Sequence, residues 1–170
     1  MRIGVISDTH GLLRPEALTA LAGVAHILHA GDVGDLAILA ALERIAPVTA
    51  IRGNVDQFGP CAALPATETV ELSGRLFYLV HSINDLEINP SAAGVAMVVS
   101  GHSHQPGLKQ HKGVSYLNPG SAGPRRFSLP VTLAIVEASA DLLEVTFADL
   151  LNSSPGSFSP QSLPSRTNSS

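Results

Sequence analysis

The chain has 170 residues, of which 45% are hydrophobic and 14% are charged, and its formal net charge is −4. A chain of this length and apolar content is expected to fold as one domain with a large core, which excludes a protein that is disordered throughout. Lys and Arg form no basic cluster, so nucleic acid is not expected as a partner.

The cysteine count and the apolar stretches indicate where the protein works. Cys61 is the single cysteine, which excludes an internal disulfide framework and is typical of a reducing compartment. Apolar stretches such as 92–99 are too short to cross a bilayer, and the N-terminus enters a strand without a signal-peptide pattern. We therefore expect a cytoplasmic protein with no membrane partner.

The first half of the chain alternates predicted strands with predicted helices. Strands are expected at 3–7, 25–29 and 47–51, and helices at 15–22 and 36–45. Pro15 lies early in the first helix, where proline is tolerated. This βαβαβ order is typical of a parallel sheet with right-handed crossovers.

The second half is richer in short strands, predicted at 67–72, 76–80, 95–99, 108–110, 114–117, 132–136 and 143–147. Antiparallel hairpins are expected to dominate this half. We predict an α/β fold in which two sheets pack face to face with helices outside, the first sheet mixed and the second largely antiparallel. Ser and Pro dominate residues 152–170, so the domain is predicted to span 1–151 and the remainder to be a flexible tail.

Polar side chains follow five of the predicted strands. In chain order they are Asp8 and His10, Asp32, Asn54, His81, and finally His102 and His104. Ligands gather beyond the carboxyl ends of strands in open α/β sheets, so these side chains should converge at one edge. Imidazole nitrogens with carboxylate and amide oxygens are ligands of divalent transition metals. The sequence therefore predicts a metal site at this edge.

The spacing within two of these motifs has a geometric meaning. Residues i and i+2 of an extended segment point to the same side, so each His-containing pair, Asp8 with His10 and His102 with His104, is expected to reach one cavity. Each motif alone also fits an ordinary turn or a satisfied polar residue. Their common order and their positions after strands favour the metal site.

The order D-x-H, G-D, G-N, H and G-H-x-H resembles that of the calcineurin-like metallophosphoesterase superfamily. The phrases MRIGVISDTHG, HILHAGDVGD, IRGNVD, GHSHQP and NPGS are similar to those of its small YfcE-type phosphodiesterases. This resemblance covers residues 1–151. It implies the metallophosphoesterase-like two-sheet sandwich flanked by helices.

The same resemblance implies a centre of two divalent metal ions, with Mn²⁺ expected and Ni²⁺, Zn²⁺, Fe²⁺ or Co²⁺ as alternatives. The first ion would be held by Asp8, His10 and His104, the second by Asn54, His81 and His102, and both by a bridging Asp32. The implied reaction is hydrolysis of a small phosphoester, foremost a phosphodiester, by a metal-activated hydroxide. Asp32, Asn54 and His81 would act through that hydroxide, and a homodimer or homotetramer is implied as well.

Two positions depart from the family pattern. Larger members carry a histidine after the G-N pair that assists the leaving group, and Val55 stands there. Since Val55 cannot donate a proton, we expect a preference for good leaving groups such as aryl esters. Relatives often read H-G-H where this chain has His81 followed by Ser82. The alternatives are a non-catalytic interaction scaffold on the same fold, similar to the retromer subunit of this family, or a phosphomonoesterase or nuclease.

Several polar residues near the motifs have two interpretations each. His29 either supports the site or is a buried strand histidine, and Asp56 either binds a ligand or closes a turn. Arg125 and Arg126 are either solvated surface charges or steer a phosphate. Asp35 is predicted to be an acidic residue of a helix first turn.

Overall fold

The computed structural model describes residues 1–152 and 161–162, which form eleven β-strands and two α-helices. The helices are α1 (Pro15–Ala20) and α2 (Leu36–Glu43). The strands are β1 (Arg2–Ile6), β2 (His26–His29), β3 (Val48–Ala50), β4 (Thr67–Leu72), β5 (Arg75–Val80), β6 (Val95–Val99), β7 (Gly107–His111), β8 (Val114–Asn118), β9 (Thr132–Ala138), β10 (Leu143–Asp149) and β11 (Gln161–Ser162).

The first sheet has the strand order β11-β10-β9-β1-β2-β3. Its strands β1, β2 and β3 are parallel, as the βαβαβ order predicts, and β9 pairs antiparallel with β1. α1 and α2 are the two crossovers between the parallel strands. The carboxyl ends of β1, β2 and β3 therefore lie side by side at one edge.

The second sheet has the order β4-β5-β6-β8-β7, and here the expectation of a largely antiparallel sheet is wrong. The strands β5, β6 and β8 run parallel, and only the edge strands β4 and β7 run antiparallel to their neighbours. The reason is that the segment after β5 crosses back over the sheet before β6 begins, and a connection of about a dozen residues suffices for that. The α/β class with two mixed sheets is confirmed.

Alternation along the strands builds the core. Ile3 and Val5 of β1 face the second sheet, where they pack in one buried cluster with Phe77 and Leu79 of β5. Ile6 lies on the opposite face of the first sheet, in a second cluster with residues of α1 and α2. Both helices thus cover the first sheet only, and β1 is buried on both faces.

The predicted boundary at residue 151 falls just after β10. Of the predicted tail, residues 153–160 and 163–170 lie outside the described residues, and the short strand β11 pairs antiparallel with β10. In the part of the chain that the structure describes, neither helix is long and apolar enough to cross a membrane.

Candidate metal centre

The seven predicted site residues come from loops at the same end of the two sheets. Asp8 and His10 follow β1, Asp32 follows β2 and Asn54 begins a short 3-10 helix after β3. The remaining three come from the second sheet: His81 directly follows β5, while His102 and His104 follow β6. The structure therefore brings all seven to one region, which straddles both sheets.

The backbone at these residues differs from the extended geometry that the sequence suggested. Five of the seven have positive φ: Asp8 (56°), His10 (47°), Asp32 (53°), His102 (66°) and His104 (58°). The expectation that D-x-H and H-x-H present their side chains as extended i and i+2 pairs is therefore wrong. Non-glycine residues in this region cost about 1–3 kcal/mol each and persist where the surrounding structure enforces them, often at functional sites.

Two glycines permit close approach of the loops that carry these residues. A Cβ on Gly53 would collide with the side chain and backbone of Asp32. A Cβ on Gly101 would collide with Ser7 Oγ and lie 2.5 Å from Asp8 Oδ2. No larger residue fits at either position without moving a carboxylate of the site.

One group of ligand atoms comprises Asp8, His10 and His104. Asp8 Oδ1 lies 3.2 Å from His104 Nε2 and 3.9 Å from His10 Nε2. The two Nε2 atoms of these histidines are 3.4 Å apart. Asp8 is fully buried and His104 nearly so, whereas His10 reaches the surface.

A second group comprises Asp8, Asp32 and His81. His81 Nε2 lies 3.3 Å from Asp32 Oδ2 and 3.1 Å from Asn54 Oδ1, and the latter oxygen is also 3.0 Å from His102 Nδ1. Asp32 Oδ2 is 3.7 Å from His10 Nε2 as well, so this carboxylate lies between the two groups.

The hydrogen bonds of His81 test whether a cation fits here. Its Nδ1 lies 2.7 Å from the carbonyl oxygen of Ala30, which can only accept, so Nδ1 carries the proton. In the neutral imidazole, Nε2 is then a lone pair facing the oxygens of Asp32 and Asn54. Three electron-pair donors that face one another require a proton or a metal cation between them, so the donor set fits a divalent cation.

Burial and neighbouring charges shift the pKa values of these groups. Burial raises the pKa of Asp8 to about 6 and, together with the positive charge of Arg126, lowers the pKa of His104 to about 4. Burial alone would raise the pKa of Asp32, but the backbone N–H of Val55 and His81, when its Nε2 is protonated, lower it. Against the effect of burial, the Asp32 carboxylate raises the pKa of His81, so a proton or a cation is favoured between the two. Burial lowers the pKa of His10 as well, so His10 and His104 are neutral imidazoles, the form that binds metals.

His29 is a structural histidine beneath the site. It is fully buried, and burial lowers its pKa to about 4, so it is neutral. Its Nδ1 accepts the N–H of Gly31 (3.2 Å), its Nε2–H donates to Thr9 Oγ1 (3.0 Å), and Thr9 Oγ1 donates to the carbonyl of Val33 (3.0 Å). This chain of bonds connects the loop after β1 to the loop after β2.

Asp56 also holds loops together, which resolves its two interpretations in favour of a structural role. Its carboxylate is buried and accepts the N–H groups of Val33, Gly34 and Gly53, all at 2.9 Å. The loops after β2 and β3 are therefore fixed to one another by a single side chain. Asp35 caps α2, because its carboxylate accepts the N–H of Ala37 at 2.8 Å.

Asn118, the first residue of the N-P-G-S motif, has a structural role that the sequence pattern does not indicate. Its Nδ2 donates to the carbonyl of Gly101 (2.8 Å) and to Ser103 Oγ (3.0 Å), so it holds the turn that carries His102 and His104. The signal for this role was its position directly at the end of a strand. The pairing of β8 with β6, which brings Asn118 beside Gly101, could not be read from the sequence.

A cleft of about 560 Å³ opens on one side of the site, beside Asn54, His81 and His102. Polar residues such as Arg52, Gln57, Ser82, Asn84 and Asp85 line it. Its size suits a small organic group next to the metal centre.

Comparisons with known proteins agree on one family. Residues 1–141 match the calcineurin-like phosphoesterase superfamily domain. A probable metallophosphoesterase of Methanothermobacter thermautotrophicus is 34% identical over 148 residues, which cover 79% of this chain and 85% of that protein.

Two solved structures share the fold. Yfce, a phosphoesterase from E. coli, superposes with a TM-score of 0.69 and 23% identity, over 91% of this chain and 96% of its own. Wild-type Vps29 of Entamoeba histolytica, complexed with zinc, superposes with a TM-score of 0.74 and 21% identity, over 96% and 98%. At these identities both show likeness of fold alone.

Proposed function

We propose that this chain, which belongs to the calcineurin-like phosphoesterase superfamily, is a binuclear metal-dependent hydrolase of small phosphodiesters. The observation that carries the proposal is that the electron-pair donors of histidine and aspartate side chains face one another at the metal centre. Nε2 of His10, His81 and His104 and the carboxylates of Asp8 and Asp32 all lie within 4.0 Å of one or more of the others.

The proposed ligands divide into two sets. The first ion is assigned to Asp8, His10 and His104, and the second to Asn54, His81 and His102. Asp32 is assigned to both, because its Oδ2 lies 3.7 Å from His10 Nε2 in the first set and 3.3 Å from His81 Nε2 in the second. The set contains nitrogen and oxygen donors and no thiolate, which suits Mn²⁺, Fe²⁺, Zn²⁺, Ni²⁺ or Co²⁺.

Divalent ions at such a site supply a water nucleophile at neutral pH and neutralise charge on the phosphate. The protein holds the ligand side chains of that centre in fixed orientations. His81 is oriented by its bond to the Ala30 carbonyl, and Asp32 by the N–H of Val55 at 3.0 Å. Such supporting bonds fix the tautomer and direction of each ligand.

The cleft beside Asn54 is the proposed site of the leaving group. Val55, which follows Asn54 in the chain, is 46% exposed, and its side chain has no proton to give. We therefore expect esters with acidic leaving groups to be hydrolysed best. Val55→His would speed the hydrolysis of alkyl esters more than that of nitrophenyl esters in a leaving-group series, and equal gains for both would contradict this role.

The decisive experiment combines metal analysis of the purified protein with hydrolysis of bis(para-nitrophenyl) phosphate in the presence of Mn²⁺, Ni²⁺, Zn²⁺ or Mg²⁺. His104→Ala should reduce both metal occupancy and rate. His111→Ala is the matched control, since His111 is exposed on the edge strand β7 and should change neither. If the metal-loaded protein hydrolyses no phosphodiester, the proposed function is wrong.

The alternatives are a phosphomonoesterase, a nuclease, or a metal-stabilised interaction scaffold without catalysis. The same assay separates these, because nitrophenyl monoester and single-stranded oligonucleotide can replace the diester. A scaffold would bind metal and hydrolyse none of the three.

A further inference from the structure

The side chain of Arg52 lies in the wall of the cleft beside the metal centre. It lines this cleft together with three of the proposed ligands, Asn54, His81 and His102. Gly53, between Arg52 and Asn54, has an extended backbone (φ −104°, ψ −168°), and the two neighbours of an extended residue project to the same side. Both observations place Arg52 in one space with the proposed ligands of the second ion.

Arg52 is half-buried, and its guanidinium is held by the segment that precedes β4. Its Nη1 donates to the carbonyl of Leu64 (2.7 Å), and its backbone N–H donates to the carbonyl of Pro65 (2.9 Å). In the part of the chain that the structure describes, Nε and Nη2 have no acceptor, and no carboxylate oxygen lies within 4.0 Å of the guanidinium. The side chain is therefore oriented but not neutralised, and these donors are available to a ligand.

The charges of the cleft lining indicate which anion Arg52 would bind. Asp85 and Glu87, on the loop after β5, also line the cleft, and both are exposed. Two carboxylates and one guanidinium disfavour an ester group that carries an anion of its own, which leaves the phosphate group itself. A guanidinium in the same cleft as ligands for divalent cations also opposes the binding of those cations, so its charge becomes favourable when an anion is bound.

We propose that Arg52 is a further substrate-binding residue, which donates to the phosphate oxygen that faces the cleft. In a bound diester this oxygen joins phosphorus to the ester group, because the cleft is the proposed site of the leaving group. This role rests on the proposed function, since it takes a phosphate group as the ligand.

Arg52 would compensate in part for the lack of a proton donor at Val55. During hydrolysis the oxygen of water bonds to phosphorus, the bond from phosphorus to the ester oxygen breaks, and its electron pair stays on the ester oxygen. A hydrogen bond from the guanidinium stabilises this charge, while Arg52 keeps its proton and the departing oxygen takes one from water. A charge at this point lessens the preference for acidic leaving groups but does not abolish it.

The first test measures the dissociation constant of inorganic phosphate for the Mn²⁺-loaded protein, together with the affinity for Mn²⁺ itself. Arg52→Gln should weaken phosphate binding by about 10- to 100-fold, the loss of a charge-assisted hydrogen bond. Arg52→Lys should restore part of the affinity, because a lysine keeps the charge but not the fork. Mn²⁺ affinity should stay equal or rise in both variants, whereas a displaced loop would lower it.

Arg75→Gln is the matched control. Arg75 also donates to backbone carbonyls, those of Ser139 and Ala140 (2.6 and 2.5 Å), but it lies at the opposite end of β5 from His81. Its loss should change phosphate affinity less than about twofold, because exposed charges are screened beyond about 10 Å. Equal phosphate affinity in wild type and Arg52→Gln, or equal losses in the two glutamine variants, would overturn the proposal. A loss of Mn²⁺ affinity in Arg52→Gln would overturn it as well.

A second test compares methyl para-nitrophenyl phosphate with methyl phenyl phosphate, whose leaving group is less acidic. Arg52→Gln should slow the phenyl ester about tenfold more than the nitrophenyl ester, since the poorer leaving group depends more on stabilisation of its charge. Equal losses on both esters would contradict the position of Arg52 beside the ester oxygen and overturn the proposal. If the wild-type protein hydrolyses no phosphoester, the proposed function fails while the phosphate titration still decides whether Arg52 binds the anion.

Discussion

Gly101 illustrates how little space the site leaves for a change at a single residue. Its Cα faces Ser7 and the carboxylate of Asp8, and the next residue, His102, donates its backbone N–H to that carboxylate at 3.2 and 3.3 Å. As a glycine just after a predicted strand, Gly101 is typical of a turn. Its closeness to Asp8 was not predictable, because the two residues lie in different sheets.

Gly101→Ala should therefore displace Asp8 or the turn that carries His102. We expect Mn²⁺ affinity to fall by about 10- to 100-fold, the range typical of changes next to metal ligands. Calorimetric titration of Mn²⁺ measures the effect. Gly107→Ala provides the control, because a Cβ there contacts nothing within 4 Å, and an equal loss in both variants would contradict the steric explanation.

His29 gives the protein a defined dependence of stability on pH. Its pKa is about 4 in the folded protein and 6.5 ordinarily, so between these values the unfolded chain binds the extra proton. The free energy of unfolding is therefore full above about pH 6.5 and falls as the pH drops towards 4, by at most about 1.4 kcal/mol per pH unit.

His29→Gln removes that titration. Urea unfolding in the presence of a chelator should show a lower free energy of unfolding for the variant at pH 7.5, because the buried ring is lost. Between pH 6.5 and 4 its stability should decline less steeply than that of the wild type. Parallel declines in the two proteins would show that other groups account for the acid sensitivity.

The order of the strands in each sheet and the conformation of the loops after them determine which site residues meet. The positions of the strands and of the polar residues that follow them were predictable, because the local pattern of apolar and polar residues indicates both. The pairing of β6 with β8 was not, since neighbour order in a sheet depends on contacts distant in sequence. The positive φ angles of the five site residues could not be predicted from the sequence either, because none of the five is a glycine.

Asp56→Ala should detach the loop after β3 from the loop after β2. It leaves three backbone N–H groups without their acceptor, and we expect a loss of about 3 kcal/mol in the free energy of unfolding together with weaker Mn²⁺ binding. Asp35→Ala, which removes a helix cap, should cost about 1 kcal/mol and leave Mn²⁺ affinity unchanged. Thermal unfolding and Mn²⁺ titration distinguish the two, and normal Mn²⁺ affinity in Asp56→Ala would refute the coupling.

Across the protein, each candidate group of ligands takes members from both sheets. Asp8 with His10 and Asp8 with Asp32 come from the first sheet, and His104 and His81 complete the two groups from the second. A bound ion would therefore fasten the two sheets together at this end of the sandwich.

The melting temperature should consequently rise with Mn²⁺ concentration. At a hundredfold excess over the dissociation constant, one ion adds about 2.7 kcal/mol, or about 5–10 °C for a domain of this size. Differential scanning calorimetry with added Mn²⁺ and then a chelator tests this. His104→Ala should show a much smaller rise, and a rise of wild-type size in that variant would contradict the assigned ligands.

The division of the ligands between the sheets also has a consequence for the order of events during folding. Neither of the two groups is complete within one sheet, and in the first group His104 meets His10 although the two residues are 94 positions apart in the chain. Tight binding of an ion therefore requires that the two sheets have already packed against each other. The rate at which a refolding chain acquires metal would report that last step, so a coloured ion such as Co²⁺ could serve as a clock for the assembly of the sandwich.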